Sequence, residues 1–180
     1  NTEFFPYQFK PVLNFLDSPS NGILIADEVG LGKTIEAGLI WTELRARMDA
    51  NRLLVICPAV LREKWRSELL HRFGIRAEIC NANELLTKLK DQDDNQQEEF
   101  AVIASIQGIR PPRGWEEDDD IKTGAAQLAR FVSDSGAGDT LFDCVIVDEA
   151  HYLRNPDSQT HKLAHLIRPV SSNIVLLSAT

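Results

Sequence analysis

The stretch Asp27-Glu28-Val29-Gly30-Leu31-Gly32-Lys33-Thr34 decides the fold of this 180-residue chain. It follows a short apolar run and precedes a segment with helical periodicity, so it is predicted to connect a β-strand to an α-helix. Gly30 and Gly32 would let backbone N–H groups face an anion, and the N-terminus of the helix adds positive potential. Lys33 is then expected to reach the β- and γ-phosphates of a nucleotide, and the Thr34 hydroxyl to bind Mg²⁺.

One position departs from the general spacing of phosphate-binding loops, which is G-x-x-x-x-G-K-[ST]. Asp27 stands where the first glycine would be, which argues against a generic nucleotide kinase. A chance glycine-rich turn would explain a Gly-Lys-Thr tripeptide on its own. The strand before it and the helix after it favour a nucleotide site instead.

A second motif, Asp148-Glu149-Ala150-His151, follows the apolar run Val145-Ile146-Val147. In a parallel sheet, residues just beyond the carboxyl end of a strand lie where ligands bind. Asp148 is therefore expected to hold the Mg²⁺ shell, and Glu149 to orient and deprotonate an attacking water. Alone, the acidic pair would indicate a solvated turn with a capping aspartate. Its order after the phosphate loop predicts one site that hydrolyses ATP, with Lys33, Asp148 and Glu149 as catalytic residues.

Along the whole chain, short apolar runs alternate with helix-period segments, which is typical of βαβ units. The pattern predicts one α/β domain of three layers, with a mostly parallel sheet and helices on both faces. Two acidic stretches, residues 90–99 and 107–120, are predicted to be loops within it. Because the chain starts without Met and ends directly after an apolar run, we expect a fragment of a larger protein. The predicted helices include Tyr7–Leu16, Asn83–Leu89 and Ile121–Ser133.

Composition limits the classes of protein to which the chain can belong. No apolar run reaches the ~18 residues of a membrane span, so we expect a cytoplasmic protein without membrane partners. The net charge of −8 argues against a DNA-binding surface that covers the whole domain, because such surfaces are basic. Much of this charge lies in Asp91–Glu99 and Glu116–Asp120, so any nucleic-acid contact must be a local stripe. The widely spaced cysteines are predicted to be buried, reduced thiols: Cys57, Cys80 and Cys144.

Taken together, the motifs DEVGLGKT, DEAH and Ser178-Ala179-Thr180 resemble those of the first RecA-like motor lobe of superfamily-two helicases. The Asp-Glu opening of the phosphate loop resembles the Swi/Snf-related branch in particular. Ile35-Glu36-Ala37-Gly38 is similar to the bacterial group that includes the RNA-polymerase-recycling ATPase, since common nucleosome remodellers usually have Gln where Glu36 stands. The resemblance implies a RecA-like P-loop fold, ATP and Mg²⁺ as cofactors, and a bacterial cytoplasm or nucleoid rather than a eukaryotic nucleus.

The resemblance also implies roles for residues outside the two motifs. Pro6-Tyr7-Gln8 is similar to the family's adenine-recognition segment, in which Gln8 would meet the adenine edge. Ser178 and Thr180 belong to the triplet that links the ATP site to the nucleic-acid groove. Their hydroxyls would hydrogen-bond to His151 or Glu149 and so report the state of the γ-phosphate.

A third segment is implied to contact nucleic acid. Val55–Leu61, continued by Trp65, is similar to the family's motif Ia, whose loop touches the nucleic-acid backbone. Arg62 and Lys64 are the local cations that would contact phosphates, and solvated helix charges are the alternative interpretation of both. Ser105 lies where the family's later backbone-contacting motifs begin.

The function implied is an ATP-dependent motor that translocates on double-stranded DNA and remodels or displaces protein–DNA complexes. DNA would bind in a cleft shared with a second lobe that this chain lacks, and RNA polymerase or a defence complex would be the protein partner. Because the second lobe carries the family's arginine fingers, the chain alone is expected to hydrolyse ATP barely or not at all. Three alternatives stay open: a strand-separating helicase, the motor subunit of a restriction or phage-defence complex, and a nucleotide-gated binding module.

Two further sets of side chains are predicted to be structural. His161 and His165, four residues apart, could approach a metal from one side of a helix, but the sequence suggests no third ligand. Trp41 and Trp65 fall on apolar helix faces and are predicted to be core residues rather than platforms for stacked bases.

Overall fold

A parallel β-sheet forms the centre of the domain. The computed structural model describes residues 6–27, 32–94, 99–136 and 138–179. The strands within these ranges are β1 Gly22–Asp27, β2 Arg52–Cys57, β3 Glu78–Ile79, β4 Phe100–Ser105, β5 Phe142–Val147 and β6 Ser171–Ala179. They form a six-stranded sheet in the order β1-β6-β5-β2-β4-β3, and all its neighbouring strands run parallel.

Seven α-helices within the described ranges cover both faces of this sheet. They are α1 Lys10–Asp17, α2 Lys33–Met48, α3 Arg62–Phe73, α4 Ala82–Asp94, α5 Ile106–Ile109, α6 Gly124–Ser135 and α7 Gln159–Ile167. Short 3₁₀ turns lie at Pro6–Phe9, Ala59–Leu61, Ala150–Leu153 and Arg168–Val170.

The strands form because each is a short apolar run that can be buried on both faces. In β2, the residues from Leu53 to Cys57 are at most 2% exposed. Successive side chains of a strand point to opposite faces. Leu54 and Ile56 accordingly pack in the core beneath α4 to α7, and Leu53, Val55 and Cys57 pack beneath α1 to α3. The predicted three-layer α/β fold is confirmed.

The strand order places the ends of β1 and β5 on either side of β6. Asp27 pairs with Ala179, and Val147 pairs with Leu176. Because all three strands run in the same direction, their carboxyl ends lie at one edge of the sheet. β1 and β5 therefore end at the same edge of the sheet, with β6 between them.

α2 and α3 approach so closely that one position in α2 requires glycine. A Cβ on Gly38 would lie 2.2 Å from Cε2 of Phe73, so the Phe73 ring or one of the two helices would have to shift. Trp41 and Trp65 are buried in the same core at 1% exposure each, which confirms their predicted placement. The cysteines are buried as predicted.

The first predicted acidic loop is partly helical. α4 extends to Asp94, so residues 90–94 do not belong to a loop. Leu85, Leu86 and Leu89 are buried on one face of this helix. Tertiary packing of that face, rather than the low helix propensity of the acidic residues, determines how far the helix extends.

The second predicted acidic loop also begins with helical turns. Ile106–Ile109 forms α5, because Oγ of Ser105 accepts the backbone N–H of Gly108 at 3.0 Å and caps the helix. The acidic segment that follows is held by the Arg130 guanidinium. It donates to three carbonyl oxygens, those of Ile121 at 2.8 Å, Trp115 at 3.0 Å and Asp118 at 2.9 Å.

Two helices begin later than predicted. The segment Pro6–Phe9 is a 3₁₀ turn, and α1 starts at Lys10. α6 starts at Gly124, where Oγ1 of Thr123 accepts the N–H of Ala126 at 3.3 Å as a cap. None of the helices in the described ranges combines the length and the apolar composition that crossing a membrane requires.

Candidate functional site

The sheet brings the two sequence motifs to the same edge. The phosphate loop follows β1, and the acidic motif follows β5, with the end of β6 between them. Residues 28–31, including Gly30, lie outside the described residues, as does Thr180. The site is therefore built here from the residues that flank the loop and from the acidic motif.

The end of the phosphate loop is a left-handed glycine in close contact with the adenine segment. Gly32 has φ 89° and precedes α2, and its carbonyl oxygen accepts the N–H groups of Ile35 at 2.8 Å and Glu36 at 3.0 Å. A Cβ on Gly32 would lie 2.6 Å from Nε2 of Gln8. Gln8 itself is 2% exposed. The structure thus places Gln8 directly against the loop, as a residue that reads a bound nucleotide would need to be.

Lys33 and Thr34 are the first two residues of α2, and both are half-buried. At this end of a helix the backbone N–H groups point outward and carry partial positive charge. The Lys33 ammonium adds a full positive charge at the same place. This combination suits the phosphates of a nucleotide.

Asp148 is held from three directions. Its Oδ2 accepts Nε1–H of Trp65 at 2.9 Å, and its Oδ1 accepts the backbone N–H of Glu149 at 2.8 Å. Its own N–H donates to the carbonyl oxygen of Ile56 at 2.8 Å. The sequence predicts the carboxylate but not its hydrogen bond from Trp65.

Glu149 has a backbone conformation that is rare for a residue with a side chain. Its φ is 55° and its ψ is 44°, which costs on the order of 1–3 kcal/mol and is found mainly at functional sites. Oε2 of Glu149 lies 3.1 Å from Nδ1 of His151. The His151 ring in turn lies against Tyr152, with ring centroids 4.3 Å apart. The turn after β5 therefore brings Glu149 and His151 close together, although Nδ1 of His151 has no hydrogen-bond partner among the described residues.

Ser178 does not make the predicted hydrogen bond. It pairs with Ala26 across β1 and β6 and is 3% exposed. Its Oγ donates to the carbonyl oxygen of Ala179 at 3.1 Å instead of bonding to His151 or Glu149, so the prediction is wrong in this respect. The reason is that β6 continues as a regular strand to Ala179 and satisfies the hydroxyl locally.

The candidate nucleic-acid residues lie in the first turn of α3 and at the end of β4, and they differ in what their side chains do. Lys64 is exposed. Arg62 is half-buried, and its Nε donates to the carbonyl oxygen of Ala59 at 3.0 Å. Ser105 is 8% exposed and caps α5, so its position favours a structural role. A side chain of α5 bonds to the turn that precedes α3. Oε1 of Gln107 accepts the backbone N–H of Ala59 at 3.2 Å.

The Cys57 thiol lies close enough to Asp148 and Arg62 for both charges to affect its pKa. The pKa of the Cys57 thiol is raised to about 12, chiefly by burial and then by the negative charge of Asp148, while the positive charge of Arg62 lowers it. Cys57 therefore stays a neutral thiol at the end of β2. It adds no negative charge to the site.

The oxygen donors fit Mg²⁺. A hydroxyl from Thr34 and a carboxylate from Asp148 are hard ligands of the kind that Mg²⁺ prefers, and phosphates and waters would supply its other ligands. Within the described ranges, no three or more His, Cys, Asp or Glu side chains converge. A cavity of about 490 Å³ beside Ala26 is lined in part by Tyr7, Lys10 and Glu36, within the size range of ligand pockets.

Comparison with known proteins gives two kinds of match. The family model described as "SNF2-related domain" matches residues 7–180. The SWI2/SNF2 ATPase core of Sulfolobus solfataricus in complex with dsDNA is 20% identical with a TM-score of 0.67, covering 99% of this chain and 32% of that one. The SWI2/SNF2 ATPase core domain of the same organism is 21% identical with a TM-score of 0.65, covering 100% of this chain and 32% of that one. At these identities the structural likeness shows the fold, and the chain spans about a third of the length of either relative.

Proposed function

The chain belongs to the SNF2-related domain family, and from this premise we propose that it is the ATP-binding lobe of an ATP-dependent DNA motor. More narrowly, we propose a translocase that moves along duplex DNA and remodels or displaces the proteins bound to it. The observation that carries the proposal is the held carboxylate of Asp148. It follows β5 at the edge of the sheet where β1, the strand before the phosphate loop, also ends, and Glu149 follows it in a costly backbone conformation.

The chemistry proposed is hydrolysis of ATP at the edge of the sheet. Lys33 and the N-terminus of α2 bind the phosphates, and Thr34 and Asp148 hold Mg²⁺. When bound, Mg²⁺ withdraws charge from the β- and γ-phosphate oxygens. Glu149 orients the attacking water and accepts its proton on a side-chain oxygen, and Gln8 recognises the base.

His151 is proposed to couple hydrolysis to movement. Its Nδ1 is 3.1 Å from Oε2 of Glu149, so a change of protonation or position at Glu149 reaches His151 directly. Thr180, the second hydroxyl of the predicted coupling triplet, is proposed for the same role. Arg62 and Lys64 are proposed to contact the DNA backbone.

We propose further that a second lobe completes the site in the whole protein, and that residues 1–180 alone hydrolyse ATP barely or not at all. An arginine finger is worth roughly 10³–10⁵ in rate where one contributes. Rapid turnover by the purified chain would contradict this part of the proposal.

The bacterial RNA-polymerase-recycling group is the proposed subgroup, with a place in the cytoplasm or nucleoid. Its support is the segment Ile35–Gly38. Glu36 of this segment is 1% exposed, and Gly38 lies against Phe73, so both residues are set in the core between α2 and its neighbours. RNA polymerase is then the proposed protein partner, and a defence complex is the alternative.

The experiment is the steady-state ATPase rate of the full-length protein without nucleic acid and with duplex DNA, single-stranded DNA or RNA. Glu149→Gln serves as the blank. Strong stimulation by duplex DNA that the variant lacks is the expected result. Stimulation by single strands or RNA alone would indicate a helicase, and a rate indifferent to every nucleic acid would indicate a nucleotide-gated binding module.

A further inference from the structure

A hydrogen bond connects α3, the helix after the motif Ia loop, with the carboxylate that is placed to hold Mg²⁺. Nε1 of Trp65 donates to Oδ2 of Asp148 over 2.9 Å and across 83 residues of chain. An indole N–H can only donate, and its bond to an ionised carboxylate is of the stronger, charge-assisted kind. Because Trp65 is 1% exposed, water cannot replace this donor while the core stays packed.

The bond fixes the orientation of the carboxylate. Oδ2 is held by Trp65, and Oδ1 accepts the N–H of Glu149 at 2.8 Å. A carboxylate oxygen accepts about two hydrogen bonds or ligands, so each oxygen keeps one position for a metal or its waters. The side chain of Asp148 is therefore set in one rotamer before a metal arrives.

The same helix begins at the loop proposed to touch DNA. Nε of Arg62 donates to the carbonyl oxygen of Ala59. The backbone N–H of Ala59 in turn donates to Oε1 of Gln107. Val60, at the tip of this loop, is 88% exposed. Trp65 lies one turn further along α3, so the loop and the indole donor belong to one continuous segment of chain.

We propose that Trp65 is a positioning residue that orients Asp148 for Mg²⁺ and transmits the state of the motif Ia loop to the ATP site. The transmission rests on the proposed DNA motor function, whereas the positioning does not. A coupling of this kind acts in both directions: duplex DNA changes the affinity for Mg²⁺–nucleotide, and Mg²⁺–nucleotide changes the affinity for DNA by the same factor. Ser178 makes no such link, since its hydroxyl is bonded within β6.

The variant that tests the proposal is Trp65→Phe in the full-length protein. Phenylalanine keeps an aromatic ring in the core and removes the N–H donor. The matched control is Trp41→Phe. Trp41 is equally buried at 1% in the same core, and its Nε1 has no hydrogen-bond partner among the described residues. Loss of packing is therefore common to both variants, and loss of the bond to Asp148 is specific to one.

The first measurement is the affinity for a fluorescent ADP analogue in Mg²⁺ and in EDTA. Groups that orient a metal ligand typically contribute 10–100-fold to metal affinity. We expect Trp65→Phe to lower the ratio of the Mg²⁺ affinity to the EDTA affinity by roughly 10-fold, with the EDTA affinity unchanged, and Trp41→Phe to keep the wild-type ratio. An unchanged ratio in Trp65→Phe would overturn the positioning role. An equal loss in Mg²⁺ and EDTA would overturn it too, because that result indicates a packing defect.

The second measurement is the same affinity in Mg²⁺ with and without duplex DNA. We expect Trp65→Phe to lose most of the DNA effect that the wild type and Trp41→Phe show. A full DNA effect in Trp65→Phe would overturn the transmission. If duplex DNA does not change the nucleotide affinity of the wild type, both the proposed function and the transmission are contradicted. The ratio of the affinities in Mg²⁺ and in EDTA would still test the positioning role.

Discussion

Gln8 and Gly32 are in direct contact, so close that a Cβ on Gly32 would lie 2.6 Å from Nε2 of Gln8. Gln8 is 2% exposed and follows the first residues of the chain, whereas Gly32 ends the phosphate loop. The contact joins the two segments that were predicted separately to bind the base and the phosphates. A side chain larger than hydrogen at position 32 would therefore displace the Gln8 amide.

Gln8→Ala is expected to reduce the preference for ATP over GTP. Losing one hydrogen bond to a base typically costs about 0.5–1.5 kcal/mol, or about 2–13-fold in affinity. Competition between ATP and GTP for a fluorescent nucleotide on the full-length protein measures this preference. Gln127→Ala, on the exposed side of α6, is the control and should keep the preference. An unchanged preference in Gln8→Ala would show that Gln8 does not read the base.

Gly38→Ala is expected to destabilise the domain, although Gly→Ala in a helix normally stabilises it by about 1 kcal/mol. The added Cβ would lie 2.2 Å from Cε2 of Phe73, and overpacking of this kind costs about 1–3 kcal/mol. The melting temperature of a domain of this size should fall by about 2–4 °C for each kcal/mol. Phe73→Leu should restore part of the loss in the double variant. Higher stability of the single variant would contradict the close approach of α2 and α3.

Asp143→Asn is expected to destabilise the domain at neutral pH and to matter less in acid. Burial alone would raise the pKa of Asp143, but hydrogen bonds from the Arg52 side chain and from the N–H groups of Asn51 and Arg52 hold the pKa below its ordinary 3.8. A lowered pKa means that the carboxylate's stabilisation is present above pH 3.8 and is lost as the pH falls through the folded-state value. Hydrogen bonds to a charged group contribute about 1.5–3 kcal/mol.

Urea unfolding between pH 7 and pH 3 measures the effect at Asp143. The difference between wild type and Asp143→Asn should be largest at pH 7 and should shrink in acid. Asp134→Asn, at an exposed position of α6, should show little difference at any pH. A difference for Asp143→Asn that is constant with pH would contradict the ionised pair with Arg52.

The cysteines are expected to resist thiol reagents while the domain is folded. Burial raises the pKa of Cys57 to about 12, with a smaller effect of Asp148, and it raises those of Cys144 and Cys80 as well. The thiolate is the reactive form, so labelling at pH 8 should require unfolding by guanidinium. The raised pKa of Cys57 also means that its contribution to stability is complete below pH 9 and is lost as the pH rises toward 12. Fast labelling of the folded protein would contradict this burial.

The sequence was sufficient for the sheet and for the identity of the motifs, because both depend on local patterns. Strands such as β2 are continuous apolar runs. Their alternation with predicted helices indicates an α/β fold. The extent of α4 could not be predicted from local propensity. Buried leucines on one face stabilise the helix, so it continues into acidic residues that have low helix propensity. The acidic segment after α5 takes its conformation from Arg130, which lies in a later helix.

The candidate site was predictable in its residue types but not in its partners. Asp148 and Glu149 follow a recognisable strand, whereas the bond from Trp65 to Asp148 depends on how α3 packs against the end of β5. The left-handed backbone of Glu149 could not be predicted, because glutamate has no preference for that conformation. Ser178 was predicted to bond to the acidic motif, and its hydroxyl is instead satisfied within its own strand. The sequence pattern does not predict which side chains from distant elements come into contact.

We propose that this chain belongs to a motor that moves along duplex DNA without separating its strands. Displacement of the third strand from a DNA triplex tests this proposal most directly, with the full-length protein, Mg²⁺–ATP and Glu149→Gln as the control. We expect the wild type to release the third strand and leave the duplex intact, and the variant to release nothing. Separation of the duplex strands, or no release by an otherwise ATP-hydrolysing wild type, would contradict it.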